Sequence, residues 1–107
     1  MTKTCKGPKV CAAMVRAAAR RVARGIAAYP KKNEADASMR RMLRKDARDM
    51  MTVAAHVARG DKAGASRKAR SMDTAARDEI PLPVYCWLGW YVKSGCTKGS
   101  KQIVMDW

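Results

Sequence analysis

The spacing of apolar residues between two prolines, Pro8 and Pro30, is the feature that most constrains the fold of this chain. Between them, apolar residues recur at intervals of three and four, which places them on one face of an α-helix. Pro8 suits the first turn of a helix and Pro30 cannot continue one, so the spacing predicts a first helix over residues 8–29. The predicted apolar face consists of Cys11, Met14, Val15, Ala18, Val22, Ile26 and Tyr29.

The second predicted helix follows a short loop. Asn33 is a suitable N-cap, and Glu34 and Asp36 lie in the first turn, where the helix dipole favours acids. The helical period continues to about Arg59, and Gly60 supplies a C-terminal stop. The predicted apolar face is formed by Met39, Met42, Leu43, Ala47, Met50, Val53, Ala54 and Val57.

The remaining third of the chain is expected to add one or two helices. Asp61 can cap a third helix that ends near Ile80, because two prolines follow. Residues 83–95 contain the apolar run Val84–Val92, which could form a helix or a buried strand. We favour a helix, since three helices would otherwise lack a partner for their apolar faces. Residues 96–107 are interpreted as a basic tail.

Length and composition agree with this reading. A chain of 107 residues can bury one hydrophobic core, and the sequence is rich in Ala and Met and has no Phe. We therefore predict an all-α fold for residues 1–107: a single domain, built as a small helical bundle of three to four helices with a basic outer face and a short C-terminal tail.

The charge of the chain points to a polyanionic partner. There are 23 Lys and Arg against 9 Asp and Glu, a formal net charge of +14, and residues 1–33 hold nine Lys or Arg and no acid. Arg16, Arg20 and Arg24 form a nearly straight row opposite the apolar face of the first helix. Guanidinium groups bind phosphate oxygens in a bidentate manner, so such a row can follow a phosphate backbone. The candidate nucleic-acid-binding residues are Lys9, Arg16, Arg20, Arg21, Arg24, Lys31, Lys32, Arg41, Arg44 and Arg48.

These observations predict a non-enzymatic protein that binds DNA or RNA largely independently of sequence. The alternative is an interaction or inhibitor protein that docks its basic face on an acidic protein surface. An amphipathic helix on a membrane surface and a cleaved transit peptide are weaker alternatives for the first helix. Self-association through the Val84–Val92 segment is a further expectation. The aromatic residues within it could stack on unpaired bases, but they are interpreted mainly as core.

Other functional classes find little support in the sequence. The cysteines contain no C-x-x-C pair and His56 has no ligand partner at helical spacing, so no metal site or cofactor is expected. Neither a Gly-rich phosphate loop nor a nucleophile motif is present. The segment from Val57 to Met72 does not match a helix-turn-helix.

The N-terminus lacks the apolar stretch of a secretory signal, and no apolar run approaches the roughly 20 residues needed to span a bilayer. A cytoplasmic location is therefore expected. There, the four cysteines should be reduced thiols; in an oxidising compartment three pairings would be possible.

One acid is out of place in this pattern, because the helical period puts Asp46 within the apolar face of the second helix. A buried carboxylate is costly unless it is paired. Arg21 lies at the flank of the apolar face of the first helix, so we hypothesise a partly buried Asp46–Arg21 pair that fixes the register of the two helices.

Overall fold

The computed structural model describes residues 4–30 and 33–90, and these residues are mostly helical and include no strand. The prediction of an all-α fold, a small helical bundle, is confirmed. The elements are α1 (Gly7–Arg24), a 3₁₀ helix (Gly25–Ala28), α2 (Glu34–Ala58), α3 (Lys62–Ser71), α4 (Thr74–Glu79) and α5 (Leu82–Leu88).

The first two helices form a hairpin that is the framework of the fold. Pro8 occupies the first turn of α1, as predicted, and the final turn before Pro30 tightens into the 3₁₀ helix. The Arg40 guanidinium of α2 donates hydrogen bonds to the carbonyl oxygens of Ile26 and Tyr29, both at 3.1 Å. These bonds satisfy backbone acceptors at the end of the helix and hold α2 against α1.

The boundaries of α2 agree with the sequence prediction. The Asn33 side chain accepts a hydrogen bond from the backbone N–H of Asp36 at 2.9 Å, which caps the helix. At the other end the chain turns at Gly60, whose φ of +74° is readily adopted only by glycine.

The prediction of one helix from Asp61 to Ile80 is wrong. The helix ends at Ser71, Met72 is extended and buried, and Asp73 starts α4 by accepting a hydrogen bond from the N–H of Ala76 at 2.9 Å. A short polar side chain such as Asp73 offers the backbone an alternative to continuing a helix. The new cap and the burial of Met72 together account for the break.

The fifth helix is shorter than predicted. It begins near Pro83, as expected, but ends at Leu88 because Gly89 adopts φ +83°, whereas we predicted an end at Gly95. The Tyr85 hydroxyl is buried and donates a hydrogen bond to the Arg77 carbonyl at 2.6 Å, which ties α5 to α4. Gly95 and the predicted tail over residues 96–107 lie outside the described residues.

The described residues share one core, in which small side chains of α1 meet larger ones of α2 and α5. Its fully buried side chains of largest volume are Tyr85, Met50, Ile80, Val15, Val53, Val57, Val84 and Cys11. Within the Val84–Val92 segment, Val84, Tyr85, Leu88 and Trp90 are buried in this core and Trp87 is half-buried against it. Self-association through that segment stays a prediction.

The cysteines in the described residues are disulfide-bonded. Cys5 and Cys11 form a disulfide, and Cys86 is also disulfide-bonded, so the expectation of reduced thiols is wrong for these residues. The Cys5 backbone N–H donates to the Pro83 carbonyl at 3.3 Å. The segment before α1 is thereby held both to α1 and to the start of α5.

A buried hydrogen bond between α3 and the end of α5 provides a test of this packing. The Trp90 indole N–H donates to the Ser66 hydroxyl at 2.9 Å. We expect Ser66→Ala to lower the free energy of unfolding by about 1–2 kcal/mol, because the indole N–H loses its acceptor away from water. Chemical denaturation measures the change, and Ser38→Ala, at an exposed position of α2, is the matched control. Equal effects of the two substitutions would contradict the assigned hydrogen bond.

Candidate nucleic-acid interface

The cations of α1 lie on one side of the helix, as the sequence predicted. At 100° per residue, Lys9, Arg16, Arg20 and Arg24 fall within an arc of about 80°, and they extend along about 22 Å of the helix axis. Arg16 is half-buried and the other three are exposed. The sequence of α1 contains no Asp or Glu, so no acid on this helix neutralises the row.

Most of the candidate cations have no acidic partner. Among residues 4–30 and 33–90, the ion pairs of Lys and Arg involve Arg41, Lys45 and Lys68. Of the candidate residues, only Arg41 is paired, with Glu34 at 3.1 Å between two exposed side chains. The candidates in the described part of the chain that form no ion pair are Lys9, Arg16, Arg20, Arg21, Arg24, Arg44 and Arg48.

The structure brings cations of α1 and α2 together at a shallow groove, which we call the α1–α2 groove. Arg20 of α1 and Arg48 of α2 both line it, and its volume is about 470 Å³. The remaining lining residues are Ala19, Ala23, Ala47, Met51 and Thr52. The groove therefore has apolar walls and two guanidinium groups, and no acid lines it.

Arg21 lies apart from this group. It projects about 100° away from Arg20 around α1 and lines a second groove, the α1–α4 groove, with Asp46 and Glu79. The other residues of that groove, whose volume is about 420 Å³, are Val22, Gly25, Ala28, Tyr29, Met42, Leu43, Ala75 and Ala76. Arg21 thus shares its surroundings with acids. Lys31 and Lys32, the two remaining candidates, lie outside the described residues.

Two acids, Asp49 and Asp61, are engaged away from the α1–α2 groove. Asp49 receives hydrogen bonds from Lys45 at 2.7 Å and forms an ion pair with Lys68 of α3 at 3.1 Å. Burial opposes ionisation of Asp49, but these two ammonium groups outweigh it and lower the pKa of the carboxyl. The pKa of Asp61 is lowered by the hydrogen bond from the Gly64 N–H that caps α3 and by His56. Both acids stay ionised within the α2–α3 contact.

Asp46 is buried, as the helical period predicted, but its hypothesised pairing with Arg21 is wrong. Asp46 is 3% exposed, whereas Arg21 is exposed and forms no ion pair with it. Burial raises the pKa of Asp46 to about 7, and a hydrogen bond shared with Asp73 acts in the same direction. The same bond lowers the pKa of Asp73, so below about pH 7 Asp46 is the member of the pair that keeps the proton. Asp73 lies next to Asp46 because the chain breaks between α3 and α4 at this point.

The groove residues were missed at the level of sequence because alanines at the edge of an apolar face carry no distinctive signal. The spacing of Ala19 and Ala23, four residues apart beside the Arg row, is the pattern that could have indicated a concave strip. Among the described residues no three His, Cys, Asp or Glu side chains lie where they could hold a metal ion. The helices described here include none long and apolar enough to cross a membrane.

Comparison of the chain with protein-family models, with curated proteins and with solved structures finds no match.

Proposed function

We propose that this protein is a non-enzymatic nucleic-acid-binding protein that contacts phosphates largely independently of base sequence. The observation that carries the proposal is the set of cations without acidic partners on the outer side of the α1–α2 hairpin. A cation already paired with a carboxylate gains little from a phosphate, whereas a free one releases condensed counterions when it binds.

The proposed contacts divide between the two helices. Arg16, Arg20 and Arg24 supply the central row on α1, and Arg44 and Arg48 extend it onto α2. The proposed set is completed by Lys9, Arg21, Lys31, Lys32 and Arg41. Lys31 and Lys32 follow directly on the end of the hairpin's first arm in sequence, and Arg41 contributes less because it is paired with Glu34.

We propose a cytoplasmic location for this function. Disulfides are rare in that compartment. Cys11 is fully buried and Cys5 nearly so. Because thiol reductants must reach a sulfur atom to attack it, the Cys5–Cys11 bond is shielded in the folded protein.

A salt titration tests the proposal. If four to six phosphates are neutralised, log affinity for duplex DNA should fall linearly with log salt with a slope of roughly −4 to −5. Arg44→Gln should make the slope shallower by about 0.9, the value of one lost phosphate contact. Arg41→Gln, a matched change at the cation paired with Glu34, should have a smaller effect. Absence of binding to DNA and RNA at low salt would favour an acidic protein partner instead.

A further inference from the structure

The α1–α2 groove combines two chemical properties that phosphate binding alone does not use. Met51 is 45% exposed there, and the exposed Ala23 and half-buried Ala47 beside it add apolar surface open to solvent. Arg20 and Arg48 stand beside this surface, one on each helix. A ligand complementary to the groove therefore has an apolar part attached to an anionic part.

The dimensions of the groove limit what can occupy it. At 1.5 Å per residue, the lining extends about 6 Å along α1, from Ala19 to Ala23, and about 7.5 Å along α2, from Ala47 to Thr52. An amphipathic helix in a groove is anchored over positions i to i+7, which is about 10.5 Å. The groove is too short for such a helix and is of the length that one planar ring or one side chain fills.

Nucleic acid supplies both parts of the required ligand when its bases are unpaired. A base has an apolar face that can rest on methyl and thioether groups, and guanidinium groups stack on bases as well as bind phosphates. In a duplex the bases are stacked inside and reach a protein groove only when a nucleotide is flipped out.

We propose that the α1–α2 groove seats one unpaired nucleobase while Arg20 and Arg48 hold the adjacent phosphates, so that the protein prefers single-stranded to duplex nucleic acid. This inference rests on the proposed function and adds the class of nucleic acid that is bound. The apolar walls of the groove account for the preference for a base, and the two arginines bind the phosphates on either side of that nucleotide.

Fluorescence anisotropy with the full chain tests the inference. The probes are three labelled DNAs of equal length: a mixed-sequence single strand, a strand of the same length whose bases have been removed, and the matching duplex. Stacking of one base on an aromatic side chain is worth about 1–3 kcal/mol, which corresponds to about 5- to 150-fold in affinity. The groove has no aromatic lining, so we expect the lower end of this range: the single strand should bind about 5- to 10-fold more tightly than the abasic strand.

Substitutions in the groove should remove this difference and leave phosphate binding intact. Ala23→Leu fills the groove at an exposed position of α1, and Met51→Ser removes the exposed thioether side chain from the groove. Either variant should bind the single strand about as weakly as the abasic strand, with affinity for the abasic strand unchanged. Ala63→Leu, at an exposed position of α3, is the matched control and should behave as the unmodified protein.

The outcomes separate this inference from the proposed function. Equal affinity for single and abasic strands, or no effect of either groove variant, would overturn the base-binding role while phosphate binding stands. Failure to bind all three probes at low salt would overturn the proposed function itself. Tighter binding of a short acidic peptide with one apolar residue, lost in Ala23→Leu, would assign the groove to a protein partner and overturn the inference.

Discussion

Replacement of Arg16, Arg20 and Arg24 together by Glu is expected to weaken binding to nucleic acid by about 1000-fold or more at about 0.15 M salt. Each lost phosphate contact costs about 0.7 decade in affinity at that salt, so three contacts account for about two decades. The three carboxylates then repel phosphates at the same positions, which adds to the loss. The formal net charge falls from +14 to +8, since each substitution removes two charges.

The salt dependence and the fold distinguish this effect from simple loss of structure. The slope of log affinity against log salt should become shallower by about 2.7, which is three times 0.9. Arg20 and Arg24 are exposed and Arg16 is half-buried, so helical circular dichroism should be unchanged. Unchanged affinity in the triple variant would remove α1 from the interface.

A single substitution with a matched control tests whether the affinity for nucleic acid depends on the position of a charge or only on the net charge of the protein. Arg20 and Arg67 are both exposed and both lack an ion pair among the described residues, but Arg67 lies on α3. Arg20→Glu and Arg67→Glu change the net charge equally. We expect Arg20→Glu to have much the larger effect on affinity; equal effects would mean that binding follows net charge alone and has no defined surface.

The parts of the fold that were predicted correctly depend on local chemistry. The bounds of α2 follow from the Asn33 cap and from Gly60, and the end of the first helical segment follows from Pro30. The cation row on α1 follows from the helical period alone, since the position of a residue around a helix does not depend on distant contacts. These features could be derived because each is determined by a few neighbouring residues.

The parts that were missed depend on contacts between distant segments. The helix break at Met72 and Asp73 places the Asp73 carboxylate beside Asp46, which lies 27 residues earlier in the chain. The helical period correctly put Asp46 in the core, but the choice of Arg21 as its partner assumed that a cation must be supplied. Protonation keeps Asp46 neutral below about pH 7 and so lowers the cost of its burial without a cation. Spacing along the chain does not reveal that Asp73 lies close enough to raise the pKa of Asp46. The groove between α1 and α2 likewise depends on how two helices pack.

The Asp46–Asp73 pair makes the stability of the fold depend on pH in a direction opposite to that of an ion pair. The pKa of Asp46 is about 7 in the folded protein and near its ordinary value of 3.8 in the unfolded chain. Below about pH 4 the carboxyl is protonated in both states and adds no penalty. As pH rises from about 4 to about 7, only the unfolded state releases the proton, so stability is lost over that window and levels off above it.

The raised pKa of Asp46 also sets an upper limit on how much folding free energy is lost as the pH rises. Raising the pKa of Asp46 from 3.8 to about 7 corresponds to about 4 kcal/mol, and the lowered pKa of Asp73 offsets part of this free energy. The other charged groups near Asp46 are Lys45 and Asp49 on α2 and, across the α1–α4 groove, Arg21 and Glu79. Lys45 favours ionisation of Asp46 and Asp49 opposes it, so the two act against each other.

Asp46→Asn should therefore stabilise the protein at alkaline pH. The amide is neutral at every pH and can donate a hydrogen bond to Asp73, as the protonated carboxyl does. Relative to the unmodified protein, the free energy of unfolding should be nearly unchanged at pH 4 and higher by about 2 kcal/mol or more at pH 8. Urea denaturation across this range measures the difference. Asp49→Asn, which loses the ion pairs with Lys45 and Lys68, should destabilise at pH 7 and approach the unmodified protein at low pH. If Asp46→Asn instead destabilises at pH 8, then folding favours the ionised form of Asp46, and a cation, not Asp73, must be its partner.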